Sequence, residues 1–109
     1  MPASFKLSKS RDGQFYFILT AENSEPLLTS ETYTTKAAAQ DGIRSVRENA
    51  GIDAHFLRKI STDGKPFFIL IAANREPIAK SETYSAPAAM ENGILAVRRV
   101  APSAPERVA

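Results

Sequence analysis

The sequence predicts an α+β fold made of two tandem βββα units. Three observations lead there. The chain repeats itself, each copy carries three strand-like segments and then a helical one, and tight-turn residues recur at matching places. Sliding the chain by 51 residues lays Phe5–Ala50 on Phe56–Ala101 with 22 identities in 46 ungapped pairs, the mark of a tandem duplication. Strand, strand, strand, helix, written twice, implies an antiparallel sheet with segregated helices.

The elements of the first unit follow in order. FKLSK reads as a short strand, and Asp12-Gly13 supplies a tight hairpin because glycine accepts positive φ. QFYFILTA is the longest and most apolar strand. Glu22-Asn23-Ser24 turns the chain, with Asn23 suited to the left-handed region. PLLTSE is the third strand, and Pro26 stands at its first position, where a missing N–H does least harm. From Thr35 to Asn49 the period becomes helical, with Ala39, Ile43, Val46 and Ala50 on one face. Met90, Ile94, Val97 and Ala101 repeat that stripe in the second unit. Thr34 and Ser85 are read as N-caps, with Tyr33 stapled onto Ala38 and Tyr84 onto Ala89. Gly42 and Gly93 interrupt the helices at a cost of about 1 kcal/mol each against alanine. Close approach to a strand or to the other helix accounts for them, with backbone contact to a ligand as the sharper alternative. The predicted division is residues 1–52 and 53–101 as two repeats sharing one core, and 102–109, which has no period and two prolines in PSAPERVA, as a disordered tail.

The stretches FKLSKSRDGQFYFILTAEN, LLTSETYT and GIRSVREN, with DGKPFFILIAAN, SETYS and GILAVRR in the second unit, resemble the YegP-like family of small tandem-repeat proteins carrying a domain of unknown function. The resemblance runs to Ala101. It implies that the two βββα units join into one antiparallel sheet with the helices packed on one face. It brings no activity and no catalytic residue. The main departures are Pro66 and Pro87, which stand where the first unit has Phe15 and Lys36; Pro66 leaves its strand start without a donor.

Composition narrows the function classes. Of 109 residues 43% are hydrophobic and 24% charged, with a net charge of +2, as in ordinary soluble domains. No apolar run approaches the ~20 residues of a membrane span, and MPASFKLSKS lacks the apolar core of an export signal, so a cytoplasmic protein is expected. The absence of cysteine excludes disulfides, thiolate metal sites and thiol nucleophiles. No glycine-rich phosphate loop and no metalloprotease or calcium-loop motif occurs, so no catalytic residue, metal or cofactor is assigned. The lone His55 has no triad or metal partner in the pattern and reads as a junction residue.

Two groups of residues remain as candidates. The first is a polar set, Glu31, Glu82, Tyr33 and Tyr84, from the repeated phrase SETYT/SETYS. Paired carboxylates brought close would split their pKa values and suit acid–base work; solvated strand ends, or partners of Lys6, Lys80 or Arg58, are the simpler account. The second is the strand face carrying Tyr16, Ile18, Phe67, Ile69 and Ile71. Alternation places Phe15, Phe17, Leu19 and Ala21 beneath the helices and leaves this set on the other side. An apolar outer face implies a protein partner or self-association. The alternative is weak nucleic-acid binding, with Tyr16 and Phe67 stacking on bases and Arg11, Arg44, Arg47, Arg58, Lys59, Arg98 and Arg99 available to phosphates. The expectation is thus a non-enzymatic protein-interaction or scaffold module.

Overall fold

Apolar alternation and paired tight turns produce three-stranded meanders, and each is followed by a helix. The computed structural model describes residues 2–108; Met1 and Ala109 lie outside the described residues. In the first repeat β1 spans Ser4–Lys9, β2 Phe15–Thr20, β3 Pro26–Ser30 and α1 Lys36–Asn49. A single 3-10 turn, Asp53–His55, leads into β4 Phe56–Ile60, β5 Pro66–Ile71, β6 Pro77–Lys80 and α2 Pro87–Val100. A further strand, β7, spans Glu106–Val108. All seven strands form one sheet in the order β4-β5-β6-β3-β2-β1-β7.

The turns use one design twice. Gly13 and Gly64 take φ of +82° and +83°, as the Asp-Gly pairs predict. At the next turn the left-handed residue is Ser24, and Arg75 in the second repeat, rather than the predicted Asn23. Asn23 instead accepts the Glu25 N–H with its side chain, an Asx turn that places the positive φ one residue later.

The repeats meet at the centre of the sheet. Thr29 pairs with Lys80, and these are equivalent positions of the two units. A pseudo-twofold axis therefore passes between them, normal to the sheet. Both helices lie on one face and reach across the axis: α1 packs on β2 but also on β5 and β6, and α2 on β5 but also on β3. One continuous core results, with Phe5, Phe17, Leu19, Ile43 and Val46 joined to Phe68, Leu70, Ile94 and Val97. Phe5 meets Phe17 edge-on at 5.8 Å and Phe56 meets Phe68 at 5.7 Å, the geometry that aromatic quadrupoles favour.

Two expectations need correction. The tail is not disordered over its described length. Its β7 runs parallel to β1, pairing Phe5 with Glu106, Lys6 with Arg107 and Leu7 with Val108. The Phe5 N–H donates to the Pro105 carbonyl at 2.8 Å, and the Arg47 guanidinium donates to the Ala104 carbonyl at 2.7 Å. The free edge of β1 offers unpaired groups that this segment satisfies, although its sequence has no strand period. The sheet is accordingly antiparallel except at that edge. The N-caps also fall one residue later than predicted. Thr35 caps α1, its hydroxyl accepting the Ala38 N–H, and the equivalent Ala86 makes no side-chain cap, leaving Pro87 to start α2. Thr34 is still one step outside the helix because the Phe15–Tyr33 bridge holds the chain extended up to that point.

Candidate functional site

The phrase SETY forms the strand-to-helix joint of each repeat, and its serine and tyrosine have structural duties. The buried Ser30 Oγ accepts from the Phe17 N–H at 2.9 Å and donates to the Glu31 carbonyl at 2.7 Å. Ser81 does the same with Phe68 at 3.0 Å and Glu82 at 2.8 Å. The hydroxyl stands in for a ladder bond where the chain leaves the sheet, so no buried N–H is orphaned. Tyr33 then exchanges two backbone hydrogen bonds with Phe15, each 2.7 Å. Tyr84 donates one to Pro66, at 2.8 Å, and proline has no N–H to return.

The tyrosine rings explain the helix glycines. Tyr33 stacks on Phe17 at 6.5 Å and Tyr84 on Phe68 at 6.2 Å. The phenol end of each ring lies on the glycine of the following helix. A Cβ added at Gly42 would stand 2.8 Å from Tyr33 Cζ, and one at Gly93 2.7 Å from Tyr84 Cζ. The close approach is thus to the joint of the same repeat, rather than to the other helix or a ligand. Burial raises the pKa of both phenols, and the neighbouring Glu31 and Glu82 charges add to the rise. Both phenols therefore stay protonated at physiological pH, and their rings serve packing.

Glu31 and Glu82 are exposed and far apart. Each lies two residues beyond the Thr29–Lys80 pair, but on antiparallel strands, so they leave the axis in opposite directions. At ~3.3 Å per residue they are separated by about 13 Å along the strands. The register excludes a shared proton between them. Arg58 is not a partner of either; it is held by Glu91 (2.7 Å) and Asp53 (3.0 Å) on the helix side. His55 Nδ1 lies 2.7 Å from Asn49 Oδ1, a bond that ties the 3-10 turn to the end of α1. Among the described residues no cluster of three or more His, Asp or Glu gathers.

The sheet face opposite the helices carries the second candidate set. Tyr16, Ile18, Phe67 and Ile69 are there, each half-buried. Ile71 offers little surface there: it is only 5% exposed, and the register with β6 shifts between Leu70 and Ile71. The equivalent irregularity follows Leu19. Pairing across the strands builds a row on this face from Arg107 through Lys6, Ile18, Thr29, Lys80 and Ile69 to Leu57. Lys59 extends the same face beside Phe67. Lys6, Lys59, Lys80 and Leu57 follow from applying period-two alternation to β1, β4 and β6 as well as to the longest strands. Arg107 does not, since it lies on the unpredicted β7.

The cations divide sharply between the two sides. The ion pairs among the described residues all use arginines of the helices and rim: Arg44–Asp41, Arg58 with Asp53 and Glu91, Arg98–Asp53 and Arg99–Glu22. Arg47 sits over the Phe5 ring at 5.2 Å. Several of the arginines expected to meet phosphate are thus already engaged, whereas Lys6, Lys59, Lys80 and Arg107 are exposed and in none of these pairs. A shallow cleft of about 620 Å³ opens on this face, lined by Thr29, Phe67, Lys80 and Glu82 among others. A second, of about 570 Å³, lies between the β2–β3 turn and α2 and includes Tyr84, Gly93 and the Arg99–Glu22 pair. Among the described residues no helix is long and apolar enough to cross a membrane.

Comparison with known proteins agrees with the repeat. A model described as a domain of unknown function, DUF1508, matches residues 10–56 and again 61–106. A UPF0339 protein of Bordetella pertussis is 48% identical over 99 residues, covering 91% of this chain and 89% of that one. YegP of Escherichia coli is 45% identical over 98 residues, covering 90% and 89%. The solution NMR structure of YegP from E. coli superposes with a TM-score of 0.93 at 41% identity, over 99% of this chain and 93% of that one. A UPF0339 protein of Shewanella oneidensis, also solved by NMR, gives 0.92 at 41% identity, over 99% and 92%. Two SETY joints, two DUF1508 matches and full-length superposition together place this chain in the UPF0339 family of YegP-like proteins, whose repeated domain has no assigned function.

Proposed function

We propose that the protein is a non-enzymatic interaction module that docks a protein partner on the sheet face opposite the helices. One observation carries this: Tyr16, Ile18, Leu57, Phe67 and Ile69 remain half-exposed on a face that neither helix covers. Apolar side chains left at a surface in a contiguous group favour association. The joints add support, because their serines and tyrosines are absorbed by hydrogen bonding and packing, and their glutamates are too distant to act together. The test is affinity capture with three baits: wild type, Ile69→Lys, and Arg44→Glu on the opposite side. A partner held by wild type and Arg44→Glu but lost with Ile69→Lys supports the proposal. A partner set indifferent to Ile69→Lys overturns it.

A second reading, weak single-strand nucleic-acid binding, draws on the exposed Lys6, Lys59, Lys80 and Arg107 beside Tyr16 and Phe67. Fluorescence anisotropy with single-stranded and duplex oligonucleotides across a salt series decides it, since phosphate contacts impose a steep salt dependence.

A further inference from the structure

Resting on the docking face just proposed, we infer that its occupant is an acidic, apolar segment of another protein, lying across the strands along the row Arg107–Lys6–Ile18–Thr29–Lys80–Ile69–Leu57. The row has cations at one end and at its middle, with isoleucines between and beyond them. At ~4.8 Å between strands it is about 29 Å long, and Lys6 and Lys80 are about 14 Å apart. A segment presenting carboxylates at that interval, with aliphatic side chains set toward Ile18 and Ile69, satisfies both characters of the face.

Charge selects this occupant over two others. A second copy, seated face to face, would set Lys6, Lys80 and Arg107 against a like-charged surface, and like charges brought together without partners are costly. Single-stranded nucleic acid would stack on Tyr16 and Phe67, but a carboxylate stands at that same part of the face. Glu82 lines one cleft with Phe67, and Glu31 is its pseudo-symmetric equivalent. Phosphates running past a stacked base would meet these carboxylates. Counting Lys6, Lys59, Lys80 and Arg107 against Glu31 and Glu82, the face keeps a net charge of 4 − 2 = +2, concentrated along the central row.

The probe is a synthetic helix-forming peptide about 20 residues long, which as a helix matches the row, with glutamates about ten residues apart and leucine or valine between and beyond them on the same face. It is compared with its Glu→Gln analogue and with oligothymidine, titrated into the ¹⁵N-labelled full-length chain. Binding of the glutamate peptide should shift the amides of Lys6, Ile18, Thr29, Lys80 and Ile69. The Glu→Gln analogue, and Lys80→Glu in the protein, should each weaken binding at least about tenfold, as loss of a close charge pair implies. Arg44→Glu should leave it unchanged. No binding of the glutamate peptide, equal binding of the glutamine analogue, or saturable oligothymidine binding on the same amides overturns the inference. The docking face is tested separately: a captured partner lost with Ile69→Lys but kept with Lys80→Glu leaves that face standing and removes only its charge preference.

Discussion

The two edges of the sheet began as equivalent strands and are protected in different ways. At β1 the chain's own C-terminal segment adds a seventh strand, anchored by Arg47 on the Ala104 carbonyl and by Gln40 on Glu106 at 2.9 Å. At β4 no strand is added. The 3-10 turn turns back so that the Phe56 N–H donates to the Asp53 carbonyl, and Arg58 donates to the Phe56 carbonyl at 3.3 Å. One duplicated unit thus solved the exposed-edge problem by pairing and the other by a turn and a charged side chain. The difference follows the course of the chain: residues after the first helix lead into a second repeat, whereas residues after the second helix return to β1. Repeat symmetry therefore governs the interior of this molecule, where both units make closely matching contacts, and lapses at its margins.

The sharpest test of shared interior design is at the helix glycines. Gly42→Ala and Gly93→Ala should each destabilise the protein by about 2 kcal/mol, overpacking outweighing alanine's better helix propensity. The two costs should match, since the tyrosine contacts match. Chemical denaturation measures them, and each penalty should shrink when Tyr33 or Tyr84 is first changed to leucine. A stabilising Gly93→Ala would show that the ring moves aside freely.

The margins should respond unequally. Truncation after Ser103 removes β7 and the carbonyl that Arg47 reaches, at a cost of about 2 kcal/mol. Hydrogen exchange should rise at the Phe5 amide, which Pro105 protects, and remain slow at the Phe56 amide, which Asp53 protects. Equal change at both amides would mean that the edges are not independently covered.

The smallest effect separates the helix starts. Thr35→Ala should cost about 1 kcal/mol, whereas Ala86→Asp should add up to about 1 kcal/mol, because only the first helix now has a side-chain cap. Thermal unfolding of both variants checks the opposite signs.

Much of the fold was legible because it is written in short-range patterns. Period-two alternation in FYFILT, positive-φ residues at Gly13 and Gly64, and a four-residue apolar stripe from Ala39 to Ala50 each act within a few neighbours. The apolar character of the outer face was legible for the same reason, although alternation alone does not reveal that Ile71 is buried. The candidate site was less legible. Glu31 and Glu82 look like a pair when written 51 residues apart in identical phrases, and only antiparallel register sends them in opposite directions.

By itself, then, the sequence determined the duplicated βββα unit, its turns and the inward face of each element, since these follow from local stereochemistry and the burial of apolar side chains. The tertiary structure decided what depends on distant segments meeting. It set the pseudo-twofold at Thr29–Lys80, laid Tyr33 and Tyr84 on Gly42 and Gly93, and recruited Glu106–Val108 as a strand. It also brought Lys6, Lys80 and Arg107 from three different strands into one row, and such a row exists only once the register is chosen.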